Sequence, residues 1–199
     1  MPRDARTITA ADLLPLDRYE LIRKDKKQEA ILRKRLTRLH VGPHATAIFE
    51  TWDSMWLQIQ EMLRIEKGGA AQAADELVAY GPMVSNGREL TATLLFEVED
   101  AGRRDAFLRT IGGVEGHVFI ELDGERITAR PEGEVERTRE RDNKASAVHF
   151  FHFDFSDAQV ARWRSGEGAA SLAIDHPNYG HAARFAAEAR AFLARECFD

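Results

Sequence analysis

Leu90-Thr-Ala-Thr-Leu-Leu-Phe-Glu-Val98 (LTATLLFEV) is the stretch that decides the fold. Leu90, Ala92, Leu94, Phe96 and Val98 recur at every second position, the period of a strand with one buried face. A strand this apolar belongs in the middle of a sheet. Ser146 to Phe155 (SAVHFFHFDF) alternates in the same way, with His149, Phe151, Phe153 and Phe155 on one face and Val148, Phe150, His152 and Asp154 on the other. His44 to Thr51, His117 to Leu122, Arg126 to Arg130 and Ala170 to Ile174 read as further strands. Asp123-Gly124 suits the primed turn of a hairpin.

Helical signals fill the intervals. Thr9 and Asp12 form a capping-box pattern. From Leu16 the apolar residues recur at near-helical spacing, interrupted by the charged run Arg23 to Glu29, which predicts a long, half-buried helix ending before Gly42-Pro43. Trp52, Trp56, Ile59 and Leu63 predict a second helix stopped by Gly68-Gly69, with a short hairpin arm over Met55 to Leu57 as the alternative. Ala70 to Tyr80, Gly102 to Thr110, Ser156 to Arg164 and Ala182 to Arg195 complete the set, the last with Phe185, Ala189 and Phe192 facing inward. The expectation is an α+β fold: a single domain over 1–199, with a mixed, mainly antiparallel sheet covered by helices and a long N-terminal basic helix. A tail over 1–10 and a mobile charged loop over 131–143 are expected at its margins.

At 199 residues and 44% hydrophobic content the chain can bury one substantial core. No apolar run approaches the ~20 residues of a membrane span, and the first residues lack the apolar stretch of a secretory signal. A cytoplasmic location is therefore expected. The lone cysteine, Cys197, excludes an internal disulfide and reads as a small residue in a frayed end. Charge is unevenly spread: residues 1–40 carry eleven Lys or Arg against six Asp or Glu, and the remainder seventeen against twenty-seven. The basic run lacks interleaved aromatic residues and is interrupted by acids, so no nucleic-acid binding is expected. An acidic partner, or the protein's own acidic surface, fits it better, and a homodimer is an allowed assembly.

Absent motifs prune the chemistry. Gly112-Gly113-Val114-Glu115-Gly116 lacks the lysine of a phosphate loop and the spacing of a dinucleotide fingerprint. HExxH, CxxC and GxSxG do not occur. Histidines in three segments remain the candidates: His44, the pair His149 and His152, and His176 beside Tyr179. Neutral imidazole ligates transition metals, and burial keeps it neutral, so His44, His149 and His176 are candidate ligands for iron, zinc or manganese. His44 and Glu50 share a strand face but stand ~20 Å apart if extended, so one metal cannot join them. Were strand 146–155 antiparallel to strand 170–174, His149 would approach His176 and Tyr179; a parallel crossover would separate them by ~17 Å. Glu61 and Arg64 share a helix face as a candidate binding pair, and Arg64 occupies the place where a di-iron helix needs histidine.

The blocks VGPHATAIFE (41–50), QIQEMLRIE (58–66), ELVAYGPM (76–83), ELTATLLFEVED (89–100), SAVHFFHF (146–153) and DHPNY (175–179) together resemble a bacterial family of uncharacterised proteins, a domain of unknown function. The resemblance runs from Leu13 onward. Genes of that family often lie beside those for rubrerythrin-like proteins and iron–sulfur oxidoreductases. The resemblance thus implies an accessory role in oxidative stress or redox metabolism, with a rubrerythrin-like or iron–sulfur protein as partner, and it assigns no residue a role. Two rival readings stand beside it. One is an interaction module docking an acidic partner through the basic helix, and the other is a small-molecule enzyme with a pocket at the sheet ends near His149 and Tyr179.

Overall fold

The computed structural model of the chain describes residues 6–133, 137–139 and 141–199. Helix α1 (Leu16–Thr37) leads into strand β1 (Arg38–Val41), which turns back as β2 (Ala45–Phe49). Helices α2 (Trp52–Glu66) and α3 (Gly69–Tyr80) follow, then β3 (Glu89–Phe96), α4 (Ala101–Thr110), β4 (Val118–Leu122) and β5 (Glu125–Pro131). The remainder comprises β6 (Thr138–Arg139), β7 (Lys144–Ala145), β8 (Val148–Asp154), α5 (Asp157–Ser165), β9 (Ala170–His176), β10 (Tyr179–Arg184) and α6 (Ala187–Cys197). The fold is α+β, as expected.

Eight strands form one sheet in the order β1-β2-β3-β8-β5-β4-β9-β10, and it curls into a nearly closed barrel. Every pairing in it is antiparallel, in keeping with the mainly antiparallel sheet expected from sequence. The decisive stretch lies inside the sheet, β3 being flanked by β2 and β8. Leu90, Ala92, Leu94 and Phe96 point inward beside Phe151 and Phe153 of β8, all at most 3% exposed. Burial of such side chains stabilises by ~1.5–3 kcal/mol each. A separate cluster of Tyr19, Trp52, Trp56, Ile59 and Met83 ties α1 and α2 together outside the barrel.

Several boundaries differ from the expectation, each for a tertiary reason. Helix α1 stops at Thr37 because residues 38–41 pair with 45–48 across Gly42. Gly42 has φ +74°, and an added Cβ there would lie 2.5 Å from the His181 ring. The second helix begins at Trp52 with Thr51 as its cap, which removes the hairpin alternative. Residues 179–184, whose alanines favour a helix, pair instead with β9, so the closing helix starts only at Ala187. Its buried face is Arg190, Leu193 and Cys197; Phe185, inward as expected, precedes the helix, and Phe192 packs partly buried against the core. Cys197 is no frayed residue: it is 1% exposed, and Ser85 Oγ binds its carbonyl at 2.6 Å. Burial pushes its thiol up to about 12, which makes it unreactive.

The hairpin signal holds: Asp123 and Gly124 have φ +52° and +84°, as a primed turn requires. Of the segment expected as a tail, Ile8 is buried and the Thr7 carbonyl accepts from Trp52 Nε1 at 2.8 Å; residues 1–5 lie outside the described residues. Within the expected loop 131–143, Thr138 and Arg139 pair with β7, and residues 134–136 and 140 lie outside the described residues. No described helix is long and apolar enough to cross a membrane.

Candidate functional site

Strand alternation aims Phe49 into the barrel and Ile48 and Glu50 outward, against the concave side of α1 and α2. The pleat thus carries a carboxyl group to the floor of a groove between two helices. Thr51 caps α2 reciprocally with Ser54, each accepting from the other's backbone amide at 3.2 and 2.8 Å. That cap fixes Ser54 Oγ 2.7 Å from Glu50 Oε2, while Thr93 Oγ1 donates to Glu50 Oε1 at 2.7 Å. Glu50 is 6% exposed. Burial pushes its carboxyl above the usual range, opposed by the two hydroxyls and by the distant Lys34 ammonium.

The groove encloses about 290 Å³. Its walls are Lys27, Ala30, Ile31 and Lys34 of α1, one helical stripe, and Met55 and Gln58 of α2. Most charges at its rim are already neutralised. Arg33 binds Asp53 at 2.9 Å. Glu61 accepts from Tyr19 at 2.6 Å and from both nitrogens of the Arg23 fork at 2.7 and 2.9 Å. Those bonds, Arg23 first, hold the Glu61 carboxyl down to about 2. Lys34 forms no ion pair among the described residues, and neither does Glu50. An acid at the floor and a base at the rim therefore face one apolar groove without meeting.

The expected pairing of Glu61 with Arg64 is corrected: Arg64 reaches across to Glu20 at 2.6 Å, because the longer-range partners on α1 lie closer to each side chain than its own helix neighbour. The histidines also disperse. Strand β8 lies between β3 and β5, and β9 between β4 and β10, so the two never adjoin and neither strand direction considered above applies. His149 Nε2 lies 2.9 Å from the Ser146 carbonyl, and burial lowers its pKa. His176 is held by the Gly112 carbonyl at 3.2 Å and by the Asn178 amide at 3.2 Å. The His44 ring packs edge-on against Phe107 at 4.9 Å. Among the described residues no group of three or more His, Cys, Asp or Glu is arranged to hold a metal ion.

His44 and Tyr179 do come together, and for a structural purpose. The Tyr179 hydroxyl accepts from the amides of His44 and Ala45 at 3.0 and 2.9 Å and donates to the Val41 carbonyl at 2.7 Å. Two of the quoted blocks, VGPH and DHPNY, thus meet where β10 closes on β1. His149 joins the same aromatic cluster only through Phe96, whose ring is 5.9 Å from both His149 and Tyr179.

The surroundings of two residues named from sequence, Glu50 and His152, escape a sequence reading. Glu50 is the groove's acid, and its only trace is a carboxylate just before a Thr-x-x-Ser cap. The other is His152, on the outer face of β8 yet 4% exposed, with Glu89 at 2.7 Å on Nδ1 and Glu132 at 2.5 Å on Nε2. Desolvation opposes its charge, but the two carboxylates prevail and raise its pKa.

A family model described as Protein of unknown function (DUF3501) matches residues 7–197. A crystal structure of a novel protein of unknown function from Burkholderia pseudomallei K96243 superposes with a TM-score of 0.88 at 35% identity, covering 97% of this chain and 100% of that one. A search of curated proteins gives no match.

Proposed function

Because the chain belongs to the DUF3501 family of proteins of unknown function, we propose from its own geometry that it binds a small molecule in the groove between α1 and α2, with Glu50 as the polar anchor. The observation that carries this reading is a buried carboxyl, free of any ion pair among the described residues, opening on an apolar groove. Burial of an ionisable group without an opposite charge costs stability, and binding sites are where such a cost recurs. This reading keeps the small-molecule alternative and moves it from His149 and Tyr179, which serve the core and the barrel seam, to Glu50.

Amide-detected NMR screening of a fragment set at neutral pH tests it. Shifts are expected to cluster at Ile31, Ser54, Met55 and Gln58, and Ala30→Trp, which fills the groove, is expected to weaken each hit at least ~10-fold, about 1.4 kcal/mol. Hits clustering elsewhere and indifferent to Ala30→Trp would remove the reading.

A second reading is docking of an acidic protein along the outer stripe of α1, a rubrerythrin-like or iron–sulfur protein being the class the redox resemblance implies. It is favoured by Leu21 and Leu32, 78% and 61% exposed and three turns apart, with exposed Lys24 and Arg35 on the same stripe. Affinity for an acidic iron–sulfur protein, followed by interferometry, should fall at least ~10-fold between low and physiological salt and be lost in Leu32→Asp. Binding unchanged by both speaks against this surface.

A further inference from the structure

The geometry points to the groove as a site for a small amino-acid-type zwitterion, its ammonium received by Glu50 and its carboxylate by Lys34, with an apolar side chain against Ile31, Ile48 and Met55. The inference rests on the small-molecule reading and names its ligand class. Lys34 and Glu50, a base and an acid, line one groove and form no ion pair among the described residues. A ligand with a single charge would satisfy one of them and repel the other. A molecule bearing both charges on neighbouring atoms completes both.

The neighbouring charges leave these two as the available pair. Arg33 is engaged by Asp53, and Glu61 by Arg23 and Tyr19. Lys27 stands 4.0 Å from Glu61 and shares its charge with it. The Thr93 and Ser54 hydroxyls already donate to the two carboxylate oxygens, which leaves each oxygen a lone pair for an ammonium N–H. The groove, about 290 Å³, is half open to solvent and has room for a small organic molecule. Its apolar lining by Ala30, Ile31, Ile48 and Met55 suits an amino acid with a branched aliphatic side chain.

Isothermal titration of the full chain at pH 7 with L-leucine, 4-methylpentanoate and 3-methylbutylamine separates the contributions. L-leucine should bind at least ~10-fold more tightly than either single-charge analogue. Lys34→Met, at an exposed position, should bring L-leucine down to no more than the affinity of the amine, and should leave the amine no weaker than in the parent, since the charge that repels it is gone. Glu50→Gln, once its circular dichroism matches the parent, should weaken leucine and amine but not the acid. An analogue binding as tightly as leucine, or leucine binding indifferent to Lys34→Met, overturns the zwitterion assignment while fragment occupancy of the groove stands. Absence of heat from all three ligands overturns it as well, and the effect of Ala30→Trp on fragment hits then decides the broader reading.

Discussion

Arg190→Leu is expected to lower the unfolding free energy by about 3–5 kcal/mol, read from urea denaturation. The Arg190 guanidinium, on a residue 5% exposed, meets no carboxylate among the described residues. It donates instead to five backbone carbonyls, those of Arg162, Trp163, Gly166, Glu167 and Gly168, at 2.6 to 3.2 Å. These carbonyls belong to the last turn of α5 and its exit, where a helix leaves acceptors without partners and carries partial negative charge. One planar fork caps the whole end. Leucine would fill the volume and strand the carbonyls of Gly166, Glu167 and Gly168, while Arg162 and Trp163 keep Ser165 and the Gly166 amide as donors, so the loss reads the cap rather than the packing. Lysine, a point donor on a flexible stem, should recover only part of it. A loss under ~1 kcal/mol would mean that water reaches these carbonyls and that the cap is dispensable.

Tyr179→Phe should cost about 2–3 kcal/mol, because it removes a single oxygen that serves three backbone groups. The ring contacts with Phe96, Phe107 and His181, at 5.9, 5.6 and 4.6 Å, persist in phenylalanine. What disappears is the acceptor for the His44 and Ala45 amides and the donor to Val41. Amide exchange gives a local readout: the Ala45 amide should exchange at least ~10-fold faster while the β3 and β8 amides keep their protection. Uniform acceleration across the sheet would place the loss in global stability and not at the seam.

Strand and helix identities were largely legible because the alternation in 90–98 and 146–155 is long and strongly apolar. Capping patterns at Thr9 and Ser156 mark helix starts for the same local reason. The errors fall where a distant partner overrides local preference. Residues 38–41 and 179–184 are extended because the barrel supplies them with a neighbour. Strand order is a property of the whole chain, so the wager on β8 beside β9 had no local signal to settle it. The site shows the same limit. Histidine invited a chemical reading, yet His149 and His176 bind backbone carbonyls, and the acid without an ion pair among the described residues at the groove is Glu50. No pattern of residue types distinguishes a glutamate that ends an exposed strand from one that ends beneath two helices.

The barrel seam has a kinetic consequence. Val41 and the tyrosine that grips it are 138 residues apart in the chain. At ~5–20 residues per second of synthesis, β1 leaves the ribosome on the order of ten seconds before β10 can reach it. Throughout that interval the edge of β1, which pairs only with β2, lacks the cover that Tyr179 brings, and an uncovered edge is the kind of surface that recruits other strands. Translation speed between residues 41 and 179 therefore sets how long the growing polypeptide is open to misassembly, and a pause there would lengthen the exposure without altering the finished molecule.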